Sequence, residues 1–264
     1  MVQVKILGTR GSVPVSGKEY NIFGGSTSAY AVTAAGETLF LDAGTGIRNV
    51  SGEMVRGEKL HLLLTHTHID HLLGLPFFLL EHCHGKQVEI YGRTRRGETT
   101  ELQLDHLFSL PLWPAPLRDY PGIGYDFYEV SESQEIGPFR VRSTESNHPG
   151  GALLYRVEAE GKVIVLATDF EHGDKPSADL AAFSEGADLL LYDAQYTEEE
   201  YISRKGFGHS TAEEGIKLMK RCGAKALYLV HHDPGKTDEE LLLRERAAGP
   251  EKAHFAREGE VIVL

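Results

Sequence analysis

Cysteine, tryptophan and methionine are scarce in this chain: two, one and three residues among 264. Two cysteines, Cys83 and Cys222, cannot build a disulfide framework, which excludes a small stapled extracellular scaffold. A reduced, cytoplasmic protein is the simplest expectation. No apolar run approaches the ~18 residues of a transmembrane helix. The start, Met1-Val2-Gln3-Val4-Lys5, lacks the basic, apolar and small-residue order of a secretory signal. Positive charge is also short. Lys plus Arg number 27 against 39 Asp plus Glu, a formal net charge of −12. That balance argues against a non-specific nucleic-acid or membrane binder.

What is present is ordinary globular composition, 41% hydrophobic and 25% charged. There is no repeat, low-complexity tract or linker, so residues 1–264 read as a single domain. Histidine is the exception, with 13 residues. It is the commonest metal ligand and the near-neutral proton carrier.

Apolar alternation predicts strands at 2–7, 28–33 and 38–41, the last two joined by a hairpin at Ala35-Gly36. A buried strand is expected at 60–64, then a helix from Asp70 to about His84. Residues 88–91 read as strand, 93–108 as helix, and 109–124, with four prolines and Trp113, as an irregular loop. Strand patterns dominate 127–166, broken at Asn147–Gly151. Helix and strand then alternate: helices at 179–183, 211–221 and 238–247, strands at 189–192, 226–230 and 261–264. Ser210…Glu213 and Thr211…Glu214 are overlapping capping boxes, with Gly223 as the stop. This is a mixed α/β (α+β) pattern in two halves.

The strongest chemical signal is His66-x-His68-x-Asp70-His71, at the end of a strand. Residues two apart in extended chain face one side, so His66 and His68 can grip one ion. Asp70 and His71 can face a second beside it. Similar residues end other strands: His148, Asp169, and the pair His231-His232. Ligands gathered from several strand ends are how α/β folds build sites. Nitrogen and carboxylate donors suit Zn²⁺, with Mn²⁺ or Fe²⁺ as alternatives.

These residues, in this order, resemble the metallo-β-lactamase superfamily. The resemblance implies a four-layer αβ/βα sandwich with two divalent metal ions between the sheets. It implies that His66, His68 and His148 hold one ion, and Asp70, His71 and His231 the other, with Asp169 bridging. His231 is preferred to His232 because it directly follows its strand. No cysteine occupies a ligand position, unlike the true β-lactamases. His68 stands where flavo-diiron reductases carry glutamate, and the C-terminal helical domain of glyoxalase II is not evident.

Two further segments sharpen the resemblance. Gly8-Thr9-Arg10-Gly11-Ser12 and Gly208-His209-Ser210-Thr211-Ala212 resemble the ribonuclease Z-like phosphodiesterase branch. That branch implies catalytic roles for His209 and Asp70. His209 also lies just ahead of a helix N-terminus, which favours an anion. The Gly8–Ser12 turn is a weaker candidate for phosphate contact. The long arm with which ribonuclease Z reaches tRNA has no counterpart in the short, proline-rich 101–129. Lys86, Arg93, Arg95 and Arg96 read as a solvated basic face. Phe108, Trp113, Tyr120 and Tyr125 either wall a base-stacking pocket or form a loop core.

The expectation is therefore a metal-dependent phosphodiesterase acting on a small diester, such as a cyclic nucleotide or cyclic phosphate. A large nucleic acid and a membrane are not expected as partners; a homodimer is compatible. The alternatives are a tRNA 3′-processing endoribonuclease and a lactone or thioester hydrolase.

Overall fold

The computed structural model describes residues 1–249 and 253–264. Its strands form two seven-stranded mixed sheets. The first contains β1 (Gln3–Gly8), β2 (Ala29–Ala34), β3 (Glu37–Leu41), β4 (Lys59–Leu63), β5 (Lys86–Gly92) and β6 (Ile123–Glu129). The second contains β7 (Ser133–Ile136), β8 (Phe139–Glu145), β9 (Leu153–Ala159), β10 (Lys162–Ala167), β11 (Leu189–Asp193), β12 (Leu227–Val230) and β13 (His254–Phe255). The last strand, β14 (Val261–Val263), returns to the first sheet and pairs antiparallel with β1.

The two sheets follow the same plan. Each runs antiparallel at first and then parallel, through β3–β4–β5–β6 and through β10–β11–β12–β13. Parallel neighbours need crossovers, and helices supply most of them. These are α1 (Leu75–His82) and α2 (Thr100–Leu107) for the first sheet. For the second they are α3 (Asp174–Phe183), α4 (Glu198–Arg204), α5 (Ala212–Cys222) and α6 (Asp238–Ala248). Helices on one face of each sheet leave the other faces to meet. Val4, Ile6, Val32 and Leu41 of the first pack against Val141, Tyr155, Val157 and Leu166 of the second. Two outer cores lie beneath the helices, one around Phe40, Phe78 and Phe108, the other around Tyr192, Leu218 and Phe255. This is the expected four-layer αβ/βα sandwich. Strands such as β11, buried along its whole length, are apolar up to the closing Asp193 because both faces are covered.

Several boundaries differ from expectation. The Ala35-Gly36 hairpin forms, with both residues at positive φ. The helix expected from Asp70 does not start there. Ile69–His71 is a single 3-10 turn, and α1 begins at Leu75, with Pro76 in its first turn. Asp70 is diverted from capping because its carboxylate accepts the Ser12 backbone N–H at 2.7 Å. The helix expected over 93–108 shortens to α2 because Arg96 and Gly97 take left-handed conformations and form a turn. Helix α4 was not anticipated: its first turn is three glutamates, with little apolar periodicity to mark it. At α5 only Thr211 caps, accepting from Glu214 N, while Ser210 Oγ is taken by Tyr192 and His172. Both cysteines are unpaired and buried in different outer cores. Among the described residues, no helix is long and apolar enough to cross a membrane.

Candidate metal centre

The C-terminal ends of the parallel strands converge on one edge of the sandwich, where an α/β fold exposes side chains without breaking its ladders. Asp42 follows β3, Thr65 and His66 follow β4, Asp169 follows β10, Asp193 ends β11 and His231 follows β12. His148 arrives from the turn between β8 and β9. Asp42, Asp169 and His231 all hold positive φ, the left-handed region that non-glycine residues adopt at a cost. The turn off each strand aims the side chain across the gap instead of along the sheet.

The seven expected residues meet there. Donor atoms of His66, His68 and His148 lie within 4.8 Å of one another, as do those of Asp70, His71 and His231. Asp169 lies between the two groups. Its Oδ1 is 3.8 Å from Nε2 of both His66 and His148. Its Oδ2 is 3.1 Å from His71 Nε2 and 3.4 Å from His231 Nε2. His232 turns away: its Nε2 faces the Ala256 carbonyl at 2.9 Å and its ring lies between Phe23 and Phe255.

The hydrogen bonds behind the imidazoles decide which nitrogen faces inward. His71 Nδ1 donates to Asp42 Oδ2 at 2.8 Å. Thr65 Oγ1 gives its hydrogen to Asp42, so it accepts from His66 Nδ1 at 3.0 Å. His231 Nδ1 donates to Gln195 Oε1 at 3.0 Å, and His148 Nδ1 to the Gly208 carbonyl at 3.1 Å. In all four rings the Nε2 lone pair is thereby left pointing into the centre, the arrangement typical of metal-binding histidines. Nε2 of His66, His71 and His231 is buried with no hydrogen-bond partner among the described residues. The short approach of His71 Nε2 to Asp169 is not aligned as a hydrogen bond. Buried polar atoms are rarely left so, and three aimed at one point fit a divalent cation.

The electrostatics agree. Burial disfavours charge on every member, yet it does not prevail everywhere. On His231, Asp169 and Asp70 outweigh burial and push the imidazole up to about 9. The same carboxylates, with Asp42, raise His71 well above its ordinary value. Asp169 is driven well below the usual carboxylate range, with burial overcome by His231, His71 and His66. His66, His68 and His148, where burial dominates, are lowered and stay neutral. The centre is a concentrated negative field with neutral imidazoles on one side, and a cation entering it would displace protons.

His209 stands at the rim. Its Nδ1 donates to Asp193 Oδ2 at 2.9 Å, and its ring stacks on that of His231, centroids 4.8 Å apart. Asp193 is fully buried and also accepts the backbone N–H of Asp169 at 3.0 Å and of Ser210 at 3.1 Å. The loop before His209 is tied down by Glu171, which accepts from the N–H of Gly206 and Gly208 and from the Tyr201 hydroxyl. Donor atoms of His209 also join two further close groups, with His148 and Asp169 and with Asp193 and His231.

Other expectations change. The Gly8–Ser12 turn supports the centre instead of opening to a phosphate. Gly11 lies against the His231 ring, where a Cβ would come within 2.2 Å, and Ser12 N holds Asp70. Phe108 and Tyr120 are buried in the outer core, and Trp113 Nε1 donates to the Tyr120 hydroxyl, so the aromatic stretch is a loop core. The basic face is not uniform: Lys86 holds the Gly57 carbonyl, whereas Arg95 and Arg96 line a cleft beside His66 and His68. Asp42, Asp193, Gln195 and Glu171 escaped the sequence reading.

Residues 37–232 match the family model described as "Beta-lactamase superfamily domain", and the chain belongs to that family. Its fold is the metallo-β-lactamase fold. It superposes on the metallo-β-lactamase fold protein YhfI from Bacillus subtilis with a TM-score of 0.73, at 20% identity, covering 99% of this chain and 98% of that one. The human tRNase Z short form gives a TM-score of 0.69, at 20% identity, covering 99% and 98%. Among curated proteins the chain is similar to ribonuclease Z of Brevibacillus brevis, 26% identical, covering 90% of this chain and 87% of that protein. These relationships place the chain among the hydrolases of that superfamily, with similarity to proteins named ribonuclease Z. A relative that carries the name of a ribonuclease gives no support to the expectation against a large nucleic acid.

Proposed function

We propose that this chain is a metal-dependent phosphodiesterase. In this reading His66, His68 and His148 hold one divalent ion, Asp70, His71 and His231 a second, and Asp169 serves both. Zinc is the first choice for such nitrogen and carboxylate donors, ahead of manganese or iron. Bound there, the ions would supply water acidified to a nucleophile at neutral pH and neutralise charge on a phosphoryl group.

The chain's own residues do the rest. The observation that carries the proposal is the His209–Asp193 pair at the rim, 2.9 Å apart. Asp193 takes the Nδ1–H of His209 and so directs Nε2 away from the carboxylate. A proton carried on Nε2 passes to the leaving alkoxide or is shared with a phosphoryl oxygen. Asp193 supports the imidazolium during that transfer. Asp42, Thr65 and Gln195 keep the neighbouring rings in their donor orientation, and Asp70 is held by Ser12.

The preferred substrate is a small phosphodiester. The region 108–121 forms a loop core with α1, which leaves no protruding arm there. A second reading, an endoribonuclease acting on precursor tRNA, is favoured by the resemblance to proteins named ribonuclease Z. Metal analysis of the pure protein, followed by a substrate panel with chelator controls, tests both. The panel is bis(p-nitrophenyl) phosphate, 2′,3′- and 3′,5′-cyclic nucleotides, a tRNA precursor and a set of lactones and thioesters. Chelator-sensitive turnover of diesters supports the proposal, and precursor cleavage alone favours the second reading. Turnover confined to lactones or thioesters overturns both.

A further inference from the structure

Beside His66 and His68 lies an open cleft of about 330 Å³. Its far wall is the turn Arg95-Arg96-Gly97-Glu98, closed by reciprocal backbone hydrogen bonds between Arg95 and Glu98 of 3.0 and 2.9 Å. Arg96 and Gly97 both hold positive φ, 51° and 82°. Such a turn favours Asn-Gly, so an arginine at its first central position works against the backbone.

The turn is also anchored. Gln103 Nε2 donates to the carbonyls of Arg93 and Glu98 at 3.0 and 2.8 Å. Gln103 Oε1 accepts from Thr67 Oγ1 at 2.8 Å, and Thr67 sits between His66 and His68. One side chain thus ties the arginine turn directly to the histidine motif. Arg95 lies against Gly151, where a Cβ would come within 2.7 Å of its Nη1, and is braced by Glu145 at 2.8 Å. Arg96 has no carboxylate partner among the described residues. Glu98, the acid of the cleft, faces His106 Nε2 at 3.2 Å.

We propose that Arg96, supported by Arg95, forms a subsite for a second phosphate of the substrate, one sugar away from the scissile diester. It rests on the phosphodiesterase reading and deepens it: the substrate is a nucleotide-like diester that carries a further phosphate. An exposed guanidinium without a carboxylate partner, carried on an anchored turn at the cleft wall, is suited to that group. The second phosphate is either a terminal monoester or the next internucleotide link, and both share this chemistry.

The test uses the metal-loaded protein and three substrates. They are the p-nitrophenyl ester of thymidine 5′-phosphate, the same compound with a 3′-phosphate, and the same with a 3′-methyl phosphate. The 3′-phosphate should lower KM about tenfold, and Arg96→Gln should abolish that gain while kcat stays within about twofold. Arg96→Lys should restore part of it. An advantage for the methyl phosphate as well identifies an internucleotide link, and for the free phosphate alone a terminal monoester. Equal KM for all three with wild type, or an equal rise on all three with Arg96→Gln, overturns the subsite. If none is hydrolysed, the phosphodiesterase reading fails and calorimetry decides the subsite. Thymidine 3′,5′-bisphosphate should then bind about tenfold tighter than thymidine 5′-phosphate, and only with Arg96 present; equal binding overturns it.

Discussion

The carboxylate of Asp193 accepts from two directions at once: from His209 Nδ1 at 2.9 Å and from the backbone N–H of Asp169 at 3.0 Å. One oxygen therefore couples the rim histidine to the residue between the two donor groups. Substitution by asparagine keeps the size but puts an amide where one acceptor is needed. Asp193→Asn should retain most of the bound metal and lower kcat on bis(p-nitrophenyl) phosphate by about 10- to 100-fold. Steady-state kinetics beside metal analysis checks this, and full activity would remove His209 from the proposed chemistry.

Asp42 plays the corresponding part in the first sheet. It is fully buried and accepts from Thr65 N, Thr65 Oγ1 and His71 Nδ1. Burial alone raises its carboxyl, and these contacts oppose the rise. Asp42→Asn should weaken metal binding about 10- to 100-fold, read by competition with a chromogenic chelator. Unchanged affinity would show that the His71 ring holds its orientation without help.

The histidine motif was legible because four donors fall within six residues of one turn, where local geometry alone decides their company. Asp42 and Asp193 were not, although each closes a buried strand just as Asp169 does: Phe40-Leu41-Asp42 and Leu191-Tyr192-Asp193. The pattern that singled out Asp169 applied to both. What set Asp169 apart was its place in the order of residues that the family resemblance implies, whereas Asp42 and Asp193 stand behind the rings of His71 and His209, where only the folded sheets bring them. The same holds for Arg95 and Arg96, which read as solvated charge because the Gln103 anchor spans 36 residues to Thr67. The architecture was legible in its periodicity, whereas helix starts shifted wherever a side chain found a tertiary partner, as at Asp70.

In helix α4, Glu200 gives a pH-dependent stability. Burial would raise its carboxyl, but Lys236 and the Thr197 cap outweigh it and hold the group at about 2, against 4.5 ordinarily. The depressed folded value means its contribution is present above about pH 4.5 and fades as pH falls toward 2. Glu200→Gln should cost about 1 kcal/mol near pH 7 after solvent screening, and much less near pH 3. Denaturant titrations at both values check the sign; an equal deficit at both would show that the effect is not electrostatic.

Gly11 offers a way to disturb one donor group without touching a donor. A Cβ there would come within 2.2 Å of Cε1 and Nδ1 of His231, a ring that is 1% exposed and has no room to retreat. The ring must rotate away from Gln195 or the Gly8–Ser12 turn must move, which also loosens the Ser12 contact to Asp70. Both routes strike the Asp70–His71–His231 group and leave His66, His68 and His148 in place. Gly11→Ala should therefore lower bound zinc from about two ions per chain toward one, with turnover falling in parallel. Overpacking should also cost about 1–3 kcal/mol of stability. Metal analysis after dialysis gives the stoichiometry, and circular dichroism shows that the fold survives. Retention of both ions would mean that His231 is not needed to hold the second, and the assignment of that group would have to be withdrawn.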